Sequence, residues 1–172
     1  MDKLESKFAK GCERELEAVM EAYGAKLLRY CHHVLCDYYE AQDALQVTFI
    51  KAYNKRATFK EGMALSPWLY RIAYTTCMDI LRKRKMRSLL YTKPAEDEYI
   101  SEEVLEALMT LSAADRALVY ARVMEEQSYE TLAKIHGMRA ATLRKRYERA
   151  KGKLAAALQK DYPYYAKLEE SK

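Results

Sequence analysis

Apolar side chains recur along most of this chain at intervals of three and four residues, the spacing of a buried stripe on an α-helix. Leu4, Phe8, Leu16, Val19 and Met20 predict a helix over residues 4–22, and Leu27, Leu28, Tyr30, Val34 and Leu35 predict a second over 23–35. Asp37 to Glu40 reads as a short break, with Asp37 placed to cap the next helix. Over 41–54 the pattern turns Ala44, Leu45, Phe49, Ile50 and Tyr53 toward a core. Residues 55–65 lose the period and contain Gly62, as a loop does. Ser66-Pro67 predicts a helix start, serine as N-cap and proline in the first turn. That helix extends to about residue 87, with Trp68, Leu69, Ile72, Ala73, Cys77, Ile80 and Leu81 as its buried stripe.

From 88 to 101 the period is lost again, around Pro94 and an acidic run. Helices resume over 102–111 and 113–125, the second capped by Ser112, with Asp115 in its first turn and Leu118, Val119 and Val123 facing inward. Residues 128–151 have the pattern of a helix-turn-helix. Ser128 caps a short helix carrying Leu132, Ala133 and Ile135, and Gly137 supplies the left-handed residue at which it stops. The following helix places Leu143, Tyr147, Ala150 and Leu154 on one side. Thr142, Arg144, Lys145, Arg146, Glu148, Arg149 and Lys151 occupy the other. An anchored stripe backed by cations suits insertion into the major groove of DNA. The expected fold is all-α: two small helical domains, 1–87 and 102–172, joined by a flexible linker at 88–101. The second domain contains the helix-turn-helix and ends in a tail with Tyr162, Pro163, Tyr164 and Tyr165.

Composition sharpens this. Half of the 172 residues are hydrophobic and only five are glycine and three proline, which favours a folded helical protein over disorder. The net charge of +5 is modest, but it is concentrated. Arg82, Lys83, Arg84, Lys85 and Arg87 form one basic block and the helix from Arg139 to Lys153 another, with Glu96, Asp97, Glu98, Glu102, Glu103 and Glu106 between them. Two basic surfaces predict two contacts to one polyanion. No apolar leader and no stretch of membrane-spanning length is visible, so a cytoplasmic location without membrane insertion is expected. Four cysteines fit a reducing compartment. Cys31, His32, His33 and Cys36 do not make a metal site: Cys31 and Cys36 project about 140° apart on a helix, and two ligands do not close a zinc site. No metal and no cofactor is expected. No Ser/His/Asp set or glycine-rich phosphate loop supports an enzyme.

Three segments in order resemble the bacterial RNA polymerase sigma factors of the sigma-70 family, extracytoplasmic-function group. Asp43-Ala44-Leu45-Gln46-Val47-Thr48-Phe49 is similar to the family's D-L-V-Q-E-T-F. Pro67-Trp68-Leu69-Tyr70-Arg71-Ile72-Ala73 is similar to its A-W-L-Y-R-I-A, followed by a basic helix end. Leu111 through Leu154 resembles its second DNA-binding domain. The resemblance spans about Cys12 to Leu158. It implies a factor without covalent chemistry that recruits core polymerase through the β′ and β subunits and recognises −10 and −35 promoter elements. For many members it also implies an anti-sigma factor as partner. The sequence departs from the pattern at Val47 (usually Glu), Thr75 (commonly Asn), Arg139 (usually an N-cap Ser) and Ala141 (usually Gly).

The resemblance implies polymerase contacts at Asp43 and Gln46. The loop before the Trp68 helix and the start of that helix are the natural site for unstacked −10 bases, which need stacking and hydrogen-bonding groups. Phe59, Lys60, Arg71, Tyr74 and Thr75 are the candidates there, with Arg82, Lys83 and Arg84 on the backbone phosphates. Thr142, Arg144, Lys145, Arg146, Glu148 and Arg149 are the −35 candidates; Ser128 and Arg139 are candidate phosphate contacts. The alternatives are a helix-turn-helix regulator that never meets polymerase and a sigma-like interaction protein that does not open promoters.

Overall fold

The computed structural model describes residues 8, 13–59, 63–86 and 100–161. All regular structure among them is helical. The elements are α1 (Glu13–Leu35), α2 (Tyr38–Lys55), a 3₁₀ turn (Arg56–Thr58), α3 (Leu65–Met86), α4 (Glu102–Met109), α5 (Ala113–Val123), α6 (Tyr129–His136) and α7 (Ala140–Asp161). The candidates Lys60 and Arg87, most of the expected linker and the tyrosine-rich tail lie outside the described residues.

The observed elements differ from the periodicity reading in ways with local causes. Instead of two helices meeting near residue 22, α1 is continuous through Gly24. A Cβ at Gly24 would meet nothing within 4 Å, so the glycine faces outward. The packed face therefore holds the helix despite the entropic cost of a glycine, roughly 1 kcal/mol. Helix α3 begins at Leu65, which is fully buried, so Ser66 lies inside the first turn rather than capping it. Pro67 is tolerated there because first-turn N–H groups have no intrahelical acceptor. Asp37 caps α2 as expected, its carboxylate accepting from the Glu40 N–H at 2.9 Å. Ile50 and Val123 are 59% and 53% exposed, not inward as the pattern suggested.

Helix α3 is the central element. Leu69, Ala73 and Cys77 are buried on one face, and Tyr70, an apolar position that the stripe omits, is buried on another. A helix covered on more than one side must be apolar over more than one stripe. Helices α1 and α2 pack on α3, and so does α6. Helix α5 lies against α1, and α5, α6 and α7 pack on one another, with α4 against α7. As a result Leu27, Tyr30 and Val34 of α1, Leu69 and Tyr70 of α3, Leu118 and Tyr120 of α5, Leu132 and Ile135 of α6 and Leu143 of α7 belong to one hydrophobic cluster.

Arg116 is a buried cation at the seam between the first three helices and the last four. Arg116, 7% exposed on α5, donates from Nε and Nη2 to the Val34 carbonyl at 2.9 and 2.7 Å. Its Nη1 donates to the Leu111 carbonyl at 3.0 Å. The guanidinium thus sits at the C-terminus of α1, where the helix dipole is negative. Burial, against a smaller effect of Cys36, lowers the Arg116 pKa from its ordinary value. Around it, Tyr30 packs edge-on to Tyr70 at 5.0 Å and to Tyr120 at 5.8 Å, and His33 tilts against Tyr120 at 4.6 Å.

Replacing Arg116 by Ala leaves the Val34 and Leu111 carbonyls without this donor and opens a cavity. The expected loss is roughly 2–4 kcal/mol in denaturant unfolding, against about 0.5 kcal/mol or less for exposed Lys145→Ala. Equal losses would remove Arg116 from any structural role.

Candidate nucleic-acid interface

The helix-turn-helix is built by α6, a turn at 137–139, and α7. The Ser128 hydroxyl accepts from the Thr131 N–H at 3.1 Å, so this candidate phosphate contact already serves as the N-cap of α6. Gly137 closes α6 with φ +66°, a left-handed conformation that an L side chain would strain. Arg139 is exposed, and its carbonyl accepts from Thr142 and Leu143 at 3.0 and 3.1 Å. Arg139 is the residue before Ala140, the first of α7, and a cation at a helix N-terminus is unfavourable unless an anion is bound there. Leu143 and Ala150 are buried, and Tyr147 and Leu154 half-buried, so the expected anchoring stripe of α7 is formed.

On the opposite side of α7, Thr142, Arg144, Lys145, Glu148 and Arg149 are exposed. The Arg144 guanidinium lies 5.2 Å from the Tyr129 ring centroid, and Arg122 lies at the same distance. Arg146 departs from this group. Its Nε donates to Asp115 at 2.5 Å and its Nη2 to the Ser112 hydroxyl at 3.3 Å. Although burial opposes it, hydrogen bonds from Arg146 and Ser112 hold the Asp115 carboxyl below its usual pKa. Arg146 is therefore engaged in joining α7 to α5, and the expectation that it is available to bases does not match its geometry.

The −10 candidates divide similarly. Phe59 is 4% exposed, its ring 5.4 Å from Trp68 and 6.4 Å from Phe8, so it presents no open face for a base. Arg71 is exposed but donates from Nη1 to the Lys134 carbonyl of α6 at 2.6 Å. Tyr74 is half-buried, its ring 4.5 Å from that of His136. Thr75 is exposed, its hydroxyl bonded back to the Arg71 and Ile72 carbonyls at 3.1 and 2.9 Å. In the basic block, Arg82 pairs with Asp79 at 3.0 Å and Lys83 is exposed. Arg84 turns inward to Glu40, with Asp37 at 3.9 Å and the Leu35 carbonyl at 3.5 Å. It ties α3 to the α1–α2 junction instead of facing solvent with its neighbours.

Asp43 and Gln46 are exposed on α2. Beside them Val47 and Ile50 are 38% and 59% exposed, and Tyr39, one turn earlier, is 74% exposed. This apolar strip is a surface that the core-directed reading of Ile50 missed. Its signal was available in Val47, an apolar residue where the resembling pattern has a glutamate.

Two family models match in chain order: Sigma-70 region 2 over residues 19–87, and Sigma-70 region 4 over residues 101–154. Together they account for well over half of the chain. The chain belongs to the sigma-70 family. It is 33% identical over 129 residues to the ECF RNA polymerase sigma factor SigM of Mycobacterium tuberculosis, covering 69% of this chain and 64% of that protein. The chain thus spans just under two-thirds of that relative's length. It is 28% identical to the RNA polymerase sigma-H factor of Pseudomonas aeruginosa, covering 87% of this chain and 89% of that one. In fold it is similar to the sigma factor RpoE of Bartonella quintana, solved with the anti-sigma factor NepR: TM-score 0.74, 24% identity, 87% of this chain and 99% of that one. It is also similar to CnrH, solved with the cytosolic domain of CnrY, at TM-score 0.75 and 22% identity, over 92% and 97% of the two chains.

Region 2 thus corresponds to α1 from Val19 through α3, and region 4 to α4 through α7. No helix among the described residues is long and apolar enough to cross a membrane.

His136 closes α6 at the contact between the two regions, its Nε2 buried with no hydrogen-bond partner. Burial, reinforced by the Arg146 guanidinium and partly offset by Asp115, pulls its pKa down to about 4. In the unfolded chain the same ring titrates near 6.5. Between these values the unfolded state holds a proton that the folded state does not, so stability decreases as pH falls through that window. Melting temperature should decline from pH 6.5 to 4, and His136→Phe, which keeps the ring against Tyr74, should flatten that part of the profile. An unchanged slope would mean that His136 is already protonated when folded.

Proposed function

We propose that this protein is a promoter-specificity factor that recruits core RNA polymerase and directs initiation by reading −10 and −35 elements. The observation that carries this reading is the presence of sigma-70 regions 2 and 4 in one chain, in that order. A helix-turn-helix regulator would need only the second. The geometry supports separate roles for the two exposed surfaces. The strip on α2 with Asp43, Gln46, Val47 and Ile50 combines a carboxylate, an amide and exposed aliphatic area, and is assigned to polymerase. The outer face of α7, with Thr142, Arg144, Lys145, Glu148 and Arg149, is assigned to −35 bases, where arginine and lysine pair with guanine O6 and N7 and glutamate accepts from cytosine N4. Arg71, Tyr74 and Thr75 on α3 are assigned to −10 bases, with Arg82 and Lys83 on phosphates. Arg139 is assigned to a phosphate at the N-terminus of α7. No covalent step is assigned to any residue, and the factor works in the compartment that holds polymerase and DNA. An anti-sigma protein is a further proposed partner, in keeping with the anti-sigma factor NepR bound to RpoE in one of the similar structures.

In vitro transcription with core polymerase on a promoter library tests the reading: defined start sites with a shared −10 and −35 pair support it, and no initiation above core polymerase alone rejects it. Asp43→Lys should reduce capture of core polymerase severalfold while helicity is unchanged; undiminished capture would place the contact elsewhere.

Arg144→Ala, Lys145→Ala and Arg149→Ala should each cost roughly 1–3 kcal/mol on the preferred −35 sequence and relax preference at one or two base pairs. Arg146→Ala should instead lower folding stability, by about 1 kcal/mol, through loss of its half-buried pair with Asp115. Sequence-independent losses at all of the first three would reduce α7 to a phosphate-binding surface.

A further inference from the structure

We infer that Tyr129 is a positioning residue for the −35 helix: its ring holds the Arg144 guanidinium in place and so fixes the base pair that Arg144 reads. This rests on the assignment of Arg144 to −35 bases made above. Tyr129 is the first residue of α6, next to the N-cap Ser128, and is half-buried. Its ring meets that of Tyr147 edge-on at 6.3 Å, and both residues pack against the main hydrophobic cluster. The Arg122 guanidinium lies 5.2 Å from the centroid of the Tyr129 ring and is itself tethered, its Nη1 donating to the Gln127 carbonyl at 3.0 Å. The ring is therefore anchored from the buried stripe of α7 and from the end of α5. Arg144, also at 5.2 Å, is a base-reading candidate seated on that anchored ring.

Holding and reading use different parts of the guanidinium. The aromatic ring attracts the cation by its charge and flat face, whereas guanine O6 and N7 are recognised by the N–H donors along the guanidinium edge. Among the described residues no hydrogen bond or ion pair takes up the donors of Arg144, while Arg146, two positions on, has given its own to Asp115 and Ser112. Arg144 is thus restrained and still able to donate. A long, exposed side chain loses rotamer freedom when it engages a base, and one already restrained loses less. The contact is made to the ring and not to the Tyr129 hydroxyl. Phenylalanine should therefore replace Tyr129 in this role, and an aliphatic residue should not.

The test is selection from a promoter library by core polymerase carrying the full chain, scored as the preference at each −35 base pair. A ratio of selected to rejected bases does not depend on how much of the protein is folded, so a variant of reduced stability remains informative. Arg144→Ala defines the base pair that Arg144 reads. Tyr129→Leu should relax preference at that same pair by about two- to fivefold, the value of an exposed cation–π contact, and leave the other −35 positions unchanged. Tyr129→Phe should keep the wild-type profile, and Tyr129→Leu combined with Arg144→Ala should go no further than Arg144→Ala alone. Tyr129→Met takes the place of Tyr129→Leu if the latter does not fold. An unchanged profile in the aliphatic variant, or an even relaxation at every position, overturns the inference, and a relaxed position in Arg144→Ala then leaves the base-reading assignment standing. No relaxation in Arg144→Ala removes both.

Discussion

The C-terminus of α1 is the junction on which the fold depends. A helix leaves its last four carbonyls without intrahelical donors, and a buried end must find them elsewhere. Here each is served. Cys36, in a left-handed conformation at φ 53°, returns its N–H to His32 at 2.7 Å and its thiol to the His33 carbonyl at 3.6 Å. Arg116 from α5 takes the Val34 carbonyl, and Arg84 from α3 reaches that of Leu35. One guanidinium comes from region 2 and the other from region 4. The negative end of one helix dipole thus gathers the basic end of α3 and the interior of α5, and fixes how the two regions meet.

That meeting shapes the functional reading. The faces assigned to polymerase on α2 and to −35 bases on α7 are open to solvent, whereas of the residues on α3 assigned to −10 bases, Arg71 and Tyr74 touch α6 and Thr75 is exposed. Two of the cations in the basic runs have been drawn into the fold, Arg84 at the α1–α2 junction and Arg146 between α7 and α5. A basic run is therefore not a uniform surface. Cations that find a carboxylate within a half-buried setting become structural, and those that do not remain available for a polyanion.

Most of the helices were legible in the apolar spacing, because each buries a stripe against a neighbour and the caps Asp37, Ser112 and Ser128 are local in sequence. The helix-turn-helix was legible for the same reason, with Gly137 marking the turn. The docking of the two regions was not. It depends on Tyr30, Tyr70, Tyr120 and Arg116, and spacing alone does not say which distant residue a buried tyrosine or arginine will meet. Arg116 carried a faint signal, since it interrupts the apolar positions of α5 with a charge that must be satisfied once buried. Phe59 shows the converse limit. An aromatic residue in an aperiodic loop suits a base-stacking site, yet Trp68 and Phe8 offered it a core instead.

The central claim is that regions 2 and 4 form one packed unit in the free protein, joined through α1 and α5. A double-mutant cycle on His33 and Tyr120, whose rings are 4.6 Å apart across the seam, tests it most directly. With His33→Ala, Tyr120→Ala and the double variant compared by equilibrium unfolding, a coupling of about 0.5–1.5 kcal/mol is predicted. Additive effects, with no coupling between the two positions, would show that the regions fold without this contact and would contradict the account.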